Sequence, residues 1–173
     1  MWFWAFASIV LLFSFMALTG APYVPSKRRE LERAFRTLYK LTPDDTLVDI
    51  GAGDGIVLRV ASRHGARAIG YEINPLLVLI ARWLSRDDKR VSVHLANFWH
   101  VKLPAGTTIV YTFGEGRDIG RMYNYVEREA SRLNKPLTFM SYGFEVPGKT
   151  YHTAAHAYYL YRVVPLQGAN TSL

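Results

Sequence analysis

The sequence contains no cysteine. That absence excludes a disulfide scaffold, a thiolate nucleophile, a zinc ribbon and a cysteine-ligated iron–sulfur cluster. Charge is absent from one end as well: no Asp, Glu, Lys or Arg precedes Lys27, so all 21 basic and 14 acidic residues lie from there onward. Internal repeats and low-complexity tracts are lacking, and a hydrophobic content of 50% is too high for a disordered chain. What remains is one domain's length of basic α/β sequence behind an uncharged apolar leader.

That leader, Met1 to Leu18, reads MWFWAFASIVLLFSFMAL and is interrupted only by Ser8 and Ser14. As a helix it reaches roughly 27 Å at about 1.5 Å per residue, close to the thickness of a bilayer's hydrocarbon core. A cleaved signal peptide carries Lys or Arg ahead of its apolar stretch, whereas Trp2 and Trp4 stand here, side chains suited to the headgroup interface. Lys27, Arg28 and Arg29 follow, with Arg33 and Arg36 behind. This pattern predicts a retained single-pass transmembrane anchor over residues 1–20. It places the domain of residues 21–173 on the cytoplasmic side, with its first basic cluster against anionic lipid rather than nucleic acid.

Beyond the Gly20-to-Pro25 neck, helical and strand patterns alternate. Leu31, Ala34, Phe35, Leu38 and Leu41 recur at helical spacing after Ser26, and Thr42-Pro43-Asp44-Asp45 ends that segment. Leu47-Val48-Asp49-Ile50 reads as a buried strand, followed by Gly51-Ala52-Gly53-Asp54-Gly55 and a helix that stops at Gly65. Arg67 to Glu72 gives a second strand, and Asn74-Pro75 caps the next helix. Further strands are expected at Val91–Ala96, Thr107–Phe113 and Leu137–Phe144, a helix at Arg117–Leu133, and a last strand near Ala155–Val164. The predicted fold is α/β, a Rossmann-like, mainly parallel sheet with a C-terminal antiparallel hairpin, preceded by one transmembrane helix. No helix is predicted between the fifth strand and the hairpin, which suggests six strands.

The chemistry starts at the glycine turn. A dinucleotide fold expects G-x-G-x-x-G, and here the third glycine comes one residue early, with Ile56 next. Asp49 ends the strand and Asp54 sits in the turn, so a pyrophosphate would face two carboxylates where an anion should be welcomed. A ligand bearing positive charge fits better, and S-adenosylmethionine carries a sulfonium and an ammonium. Glu72, at the end of the next strand, is placed to accept from ribose hydroxyls.

At these residues the sequence resembles class I S-adenosylmethionine-dependent methyltransferases, with VDIGAGDG as the glycine motif and YEINP as the ribose-binding acid. Pro22-Tyr23-Val24-Pro25-Ser26, DIGAGDG, YEINPLLVLIAR and ANFWHVKL together are similar to the small membrane-anchored enzymes that methylate lysines of the ATP synthase c subunit and the adenine nucleotide translocase. The likeness spans roughly residues 21–115. It implies that Asp49, Gly51, Ala52 and Gly53 line the methionine part of the cofactor, Glu72 and Ile73 the ribose side, and Asn97 and Phe98 the adenine, with Tyr23 and Ser26 closing over it. It also implies transfer to a lysine of a membrane-associated protein. Two departures stand out. Ala96-Asn97 replaces the usual Gly-Asp, and Thr112-Phe113-Gly114-Glu115-Gly116 lacks the Asn-Pro-Pro-aromatic motif of enzymes that methylate base amino groups, which argues against nucleic acid as a partner.

A sulfonium methyl is already activated, so catalysis asks mainly for alignment and exclusion of water. Glu115 is the candidate catalytic residue, steering the incoming ammonium from the loop after the fourth strand, with Asp118 in a similar place. Phe98, Trp99, Phe113 and Tyr142 are candidates for an aromatic wall around the lysine. His100 is a candidate proton acceptor. His152 and His156 lie four apart but in a strand-like tract without a third ligand, so no metal is expected. The alternatives are a methyltransferase for a lipophilic small molecule such as a quinone or lipid precursor, and a non-catalytic S-adenosylmethionine-binding protein.

Overall fold

Thr46–Ile50 (TLVDI) is buried at every position but the first, as a central strand covered on both faces must be. Around this strand, β1, the computed structural model describes residues 28–114 and 116–166, together with Trp2 and Trp4. The described elements are α1 (Arg28–Thr37), β1, α2 (Ile56–Arg63), β2 (Arg67–Glu72), α3 (Pro75–Leu84), β3 (Val91–Leu95), a 3-10 turn (Phe98–His100), β4 (Ile109–Thr112), α4 (Ile119–Leu133), β5 (Leu137–Tyr142), β6 (Thr153–Ala155) and β7 (Tyr158–Val163).

They form one sheet in the order β3-β2-β1-β4-β5-β7-β6. The first five strands pair in parallel, β5 with β7 and β6 with β7 antiparallel. The sheet therefore has seven strands where six were expected. The additional strand, β6, is three residues long and carries too little alternation to be read from sequence. The missing helix is as expected: residues 143–152 join β5 to β6 without one.

One face of the sheet packs Leu47, Tyr111, Met140 and Tyr158 against Leu31 and Phe35 of α1, Leu58 of α2 and Val78 of α3. The other packs Val48, Val110, Phe139 and Tyr161 against Ile119, Tyr123 and Val126 of α4. Period-two alternation along each strand sends successive side chains to these two layers. α1 ends at Thr37, short of the Leu41 its apolar spacing suggested; beyond it the Tyr39 hydroxyl donates to Asp45 Oδ1 at 2.8 Å. α3 starts as predicted, with Asn74 Oδ1 accepting from the backbone N–H groups of Leu76 and Leu77 at 3.0 and 3.3 Å and Pro75 in its first turn.

Among the described residues no helix is long and apolar enough to cross a membrane. The expected anchor over residues 1–20 lies, apart from Trp2 and Trp4, outside the described residues. The chain leaves β1 toward β2 and β3 on one side and returns to β4 on the other. This reversal opens a crevice at the carboxyl ends of β1 and β4, where open α/β sheets bind their ligands.

Candidate cofactor and acceptor site

The turn after β1 is held to the neighbouring strand by two backbone bonds, from the N–H groups of Gly51 and Ala52 to the carbonyl of Tyr71, at 2.9 and 3.1 Å. Gly51 sits at φ +88°, a conformation L side chains rarely adopt, and a methyl group added there would meet nothing within 4 Å. The backbone thus lines an open cradle that any side chain at this position would fill.

Two acids face the same region from adjacent strands. Asp49 is 2% exposed, and its Oδ1 has no hydrogen-bond partner among the described residues. Burial, with the charges of Glu72 and Asp54 behind it, pushes the Asp49 carboxyl well above the usual carboxylate range. Glu72 accepts from two backbone N–H groups, Gly53 at Oε2 and Asn74 at Oε1, both at 2.9 Å. Each of its oxygens keeps a second lone pair for a ligand hydroxyl. The expectation that Asp49 and Asp54 jointly repel an anion is corrected here. Asp54 accepts from the Arg59 guanidinium at 3.1 Å and from the Ile56 N–H at 3.1 Å, so its charge is matched, and Glu72 is the second acid.

These observations test the fit of the cationic cofactor that the sequence suggested. A buried, unpartnered carboxylate beside a second acid is costly in an empty protein and favourable once a cation arrives. Asp49, Gly51, Ala52, Gly53 and Glu72 surround one cradle and meet that test. On the expected adenine side, Ile73 (47% exposed) and Leu95 (55% exposed) present bare apolar surface at the ends of β2 and β3. Leu95, the register partner of Glu72, was not singled out from sequence. Asn97 lies beside them, its Oδ1 accepting from the Trp99 N–H at 3.2 Å, so its side chain starts the 3-10 turn. Phe98 stacks at 4.3 Å on Trp99 and packs on Tyr125, in the α4 layer.

The expected aromatic wall divides in two. Phe98 and Trp99 belong to the α4 layer, while Phe113 lies 5.1 Å from Tyr142, which is 4.6 Å from Tyr158, on the α1 side. The Tyr142 hydroxyl donates to Glu30 Oε2 at 3.2 Å. A groove of about 420 Å³ opens there between α1 and the sheet edge, bordered by Arg29, Glu30, Arg33, Tyr142, His156 and Tyr158. Tyr111, the register partner of Asp49, stands 6.5 Å from Tyr158, so a row of tyrosines runs from the acid cradle to the groove. Glu30 and Tyr158 were missed from sequence, because 112 residues separate Glu30 from Tyr142.

Of the other candidates, Tyr23, Ser26 and Glu115 lie outside the described residues. Asp118 is committed to Arg121 at 3.2 Å, and that guanidinium in turn lies 4.7 Å over the Trp99 ring, so Asp118 faces the α4 layer. His100 is exposed. His156 occupies the β6–β7 turn, and among the described residues no three His, Asp or Glu side chains are grouped to hold a metal.

The strand order, the glycine turn after β1 and the acid at the end of β2 define the fold of class I S-adenosylmethionine-dependent methyltransferases. Over most of the chain this fold matches an RNA methyltransferase from Salinibacter ruber solved with S-adenosyl-L-homocysteine: TM-score 0.74 at 20% identity, covering 85% of this chain and 98% of that one. In sequence the chain is similar to the ATP synthase c-subunit lysine N-methyltransferase of Homo sapiens, 30% identical over 111 residues, 62% of this chain and 46% of that protein. It is also similar to adenine nucleotide translocase lysine N-methyltransferase of Mus musculus, 37% identical over 86 residues, 47% of this chain and 37% of that protein. The matched segment thus spans less than half the length of these relatives. No family model matches the chain.

Proposed function

We propose that this protein is an S-adenosylmethionine-dependent methyltransferase acting on a lysine of a membrane-associated protein. The observation that carries the reading is the buried, unpartnered Asp49 beside Glu72, under the open cradle at Gly51. When bound, S-adenosylmethionine supplies a methyl group activated by its sulfonium. Asp49 and the turn hold the charged end, Glu72 accepts from the ribose, and Ile73, Leu95 and Phe98 shelter the adenine.

The acceptor side follows from the groove. A free lysine has a pKa near 10.4, so roughly one amine in two thousand is neutral at pH 7. The rings of Phe113, Tyr142 and Tyr158 offer faces that attract an alkylammonium, and Glu30 draws it in. Arg29 and Arg33 on the rim disfavour its charged form, and low-dielectric tyrosine surface strips its water. The names of the relatives supply the substrate class: a lysine, on a subunit of a membrane assembly or on a translocase. The anchor over residues 1–20 and a cytoplasmic placement of the domain belong to the same proposal, supported by the uncharged apolar leader and the basic residues from Lys27. Confining enzyme and acceptor to one surface raises their effective concentration without any new contact.

The test is to incubate membranes with methyl-labelled donor and the purified protein. Label that runs with protein and is recovered as methyl-lysine supports the proposal. Label that extracts with lipid shows a small-molecule methyltransferase instead, and donor binding without transfer shows a binding protein. Calorimetry separates the cofactor question: S-adenosylmethionine and its demethylated product bind, and tighter binding of NAD would sink the assignment.

A further inference from the structure

The ten residues of α3, PLLVLIARWL, bury only Val78 and Ala81. Facing outward, Leu79 is 62%, Ile80 37%, Trp83 64% and Leu84 42% exposed. A surface helix ordinarily turns charged and polar residues to water, and a contiguous row of large apolar ones marks a surface that something covers. The charges around the row are predominantly of one sign. No acid falls between Glu72 and Asp87, while Arg82, Arg86, Lys89 and Arg90 follow the row closely. The Arg86 guanidinium lies 5.5 Å from the centre of the Trp83 ring. The two nearby acids are engaged, Asp87 with Arg86 at 3.5 Å and Asp88 with the Ser62 hydroxyl at 2.5 Å and the Arg90 N–H at 3.0 Å.

We propose that the outer face of α3 lies on an anionic membrane surface, with Leu79, Ile80, Trp83 and Leu84 in the boundary between headgroups and acyl chains and the four basic side chains against lipid phosphates. Three features favour lipid over a protein partner. A bilayer accepts an apolar row without shape complementarity, and the helix is flat in pattern rather than grooved. Tryptophan with arginine beside it is the pairing that suits the interface, where one end is apolar and the other wet. Charge complementarity with an anionic leaflet is supplied by Arg82, Arg86, Lys89 and Arg90. This contact is distinct from the apolar leader, and the two together would fix the orientation of the domain. Since α3 starts directly after Glu72 and Ile73, docking it sets the cofactor cradle close to the bilayer.

The absence of cysteine makes the test direct, because an introduced cysteine is the only thiol in the chain. The full chain carrying Leu79→Cys, labelled with a polarity-sensitive dye, is placed in phosphatidylcholine–phosphatidylserine vesicles containing a lipid-borne quencher. Asn124→Cys, exposed on α4 in the opposite layer, is the control. The dye at position 79 is expected to shift to the blue and to be quenched about fivefold more than at position 124, with the excess lost in phosphatidylcholine alone or in high salt. Leu79→Glu combined with Trp83→Glu removes the dockable face and is expected to keep S-adenosylmethionine binding and the melting temperature. In that variant a dye at Ile80→Cys reads no lipid contact. Equal quenching at 79 and 124 overturns the proposal. So does a blue shift at 79 already present without vesicles, which places another part of the chain on the face, and so does energy transfer between labelled copies, which places a second copy there.

Discussion

Asp49 carries a charge the folded protein resists. Because its carboxyl titrates above the usual 3.8, the folded protein holds a proton that the unfolded chain has already released. The stability contributed by that proton is full below about pH 3.8 and is lost as pH rises through the elevated value. Asp49→Asn is therefore expected to raise the stability of the ligand-free protein by about 1 kcal/mol at pH 8, an advantage that disappears near pH 4, while abolishing cofactor binding. Denaturant melts at the two pH values check it. A cationic ligand reverses the bias on Asp49, so binding near neutral pH should release a proton. The apparent binding heat then changes between buffers of different ionisation enthalpy, and identical heats in all buffers would refute the role given to Asp49. Two glycines divide structure from function in the same turn region. Gly51→Val fills the cradle and is expected to remove binding from a domain that still melts cooperatively. Gly70→Ala instead drives a methyl to 2.6 Å from Leu58 Cδ1 and 2.7 Å from Ala52 Cβ, costing about 1–3 kcal/mol in a chemical melt. At this scale Asp49 and Glu72 were legible because acids at strand ends before a turn are conspicuous. The engagement of Asp54 by Arg59 was not, since it depends on how the first turn of α2 folds back on the loop.

Among the elements, the short hairpin of β6 and β7 turns through His156 and Ala157, both at positive φ, +51° and +66°. Such a two-residue turn favours Asn-Gly, and an L residue other than Gly, Asn or Asp pays for the left-handed conformation. Replacing the pair with Asn-Gly is expected to stabilise the protein by about 1 kcal/mol, read as a shift of the denaturation midpoint at constant slope. If His156 borders the acceptor groove as proposed, the same exchange raises the KM for the protein acceptor and leaves cofactor affinity alone. Helices α1 to α4 were readable from apolar spacing and from the Asn74-Pro75 cap, whose loss in Asn74→Ala should cost about 1 kcal/mol. β6 was not readable, because its pairing is dictated by β7 rather than by any pattern in three residues. The grouping of Phe113, Tyr142, Tyr158 and Glu30 was equally hidden, being made by three separate strands and a helix that meet only in the sheet.

For the molecule as a whole, the sheet order places the cradle on the seam between β2-β1 and β4-β5, so ligand bound there ties both halves together. Saturation at about one hundred times Kd adds about 2.7 kcal/mol, which for a domain of this size raises the melting temperature by roughly 5–10 °C. S-adenosyl-L-homocysteine should produce that shift in the native chain and none in Asp49→Ala; no shift in either would argue against the cofactor. The two-part organisation was visible in where charge begins, and the α/β order in the alternation of periods. What required the fold was the division of aromatic residues between two layers and the bare face of α3. Glu72 has a last consequence. Its carboxylate closes a bond to Gly53, 19 residues earlier, and another to Asn74, so the turn takes its shape only after β2 has docked on β1. A nascent chain that has not yet released Asn74 from the ribosome has no competent pocket, and the cofactor can act as a folding chaperone only for a chain that has already passed that point.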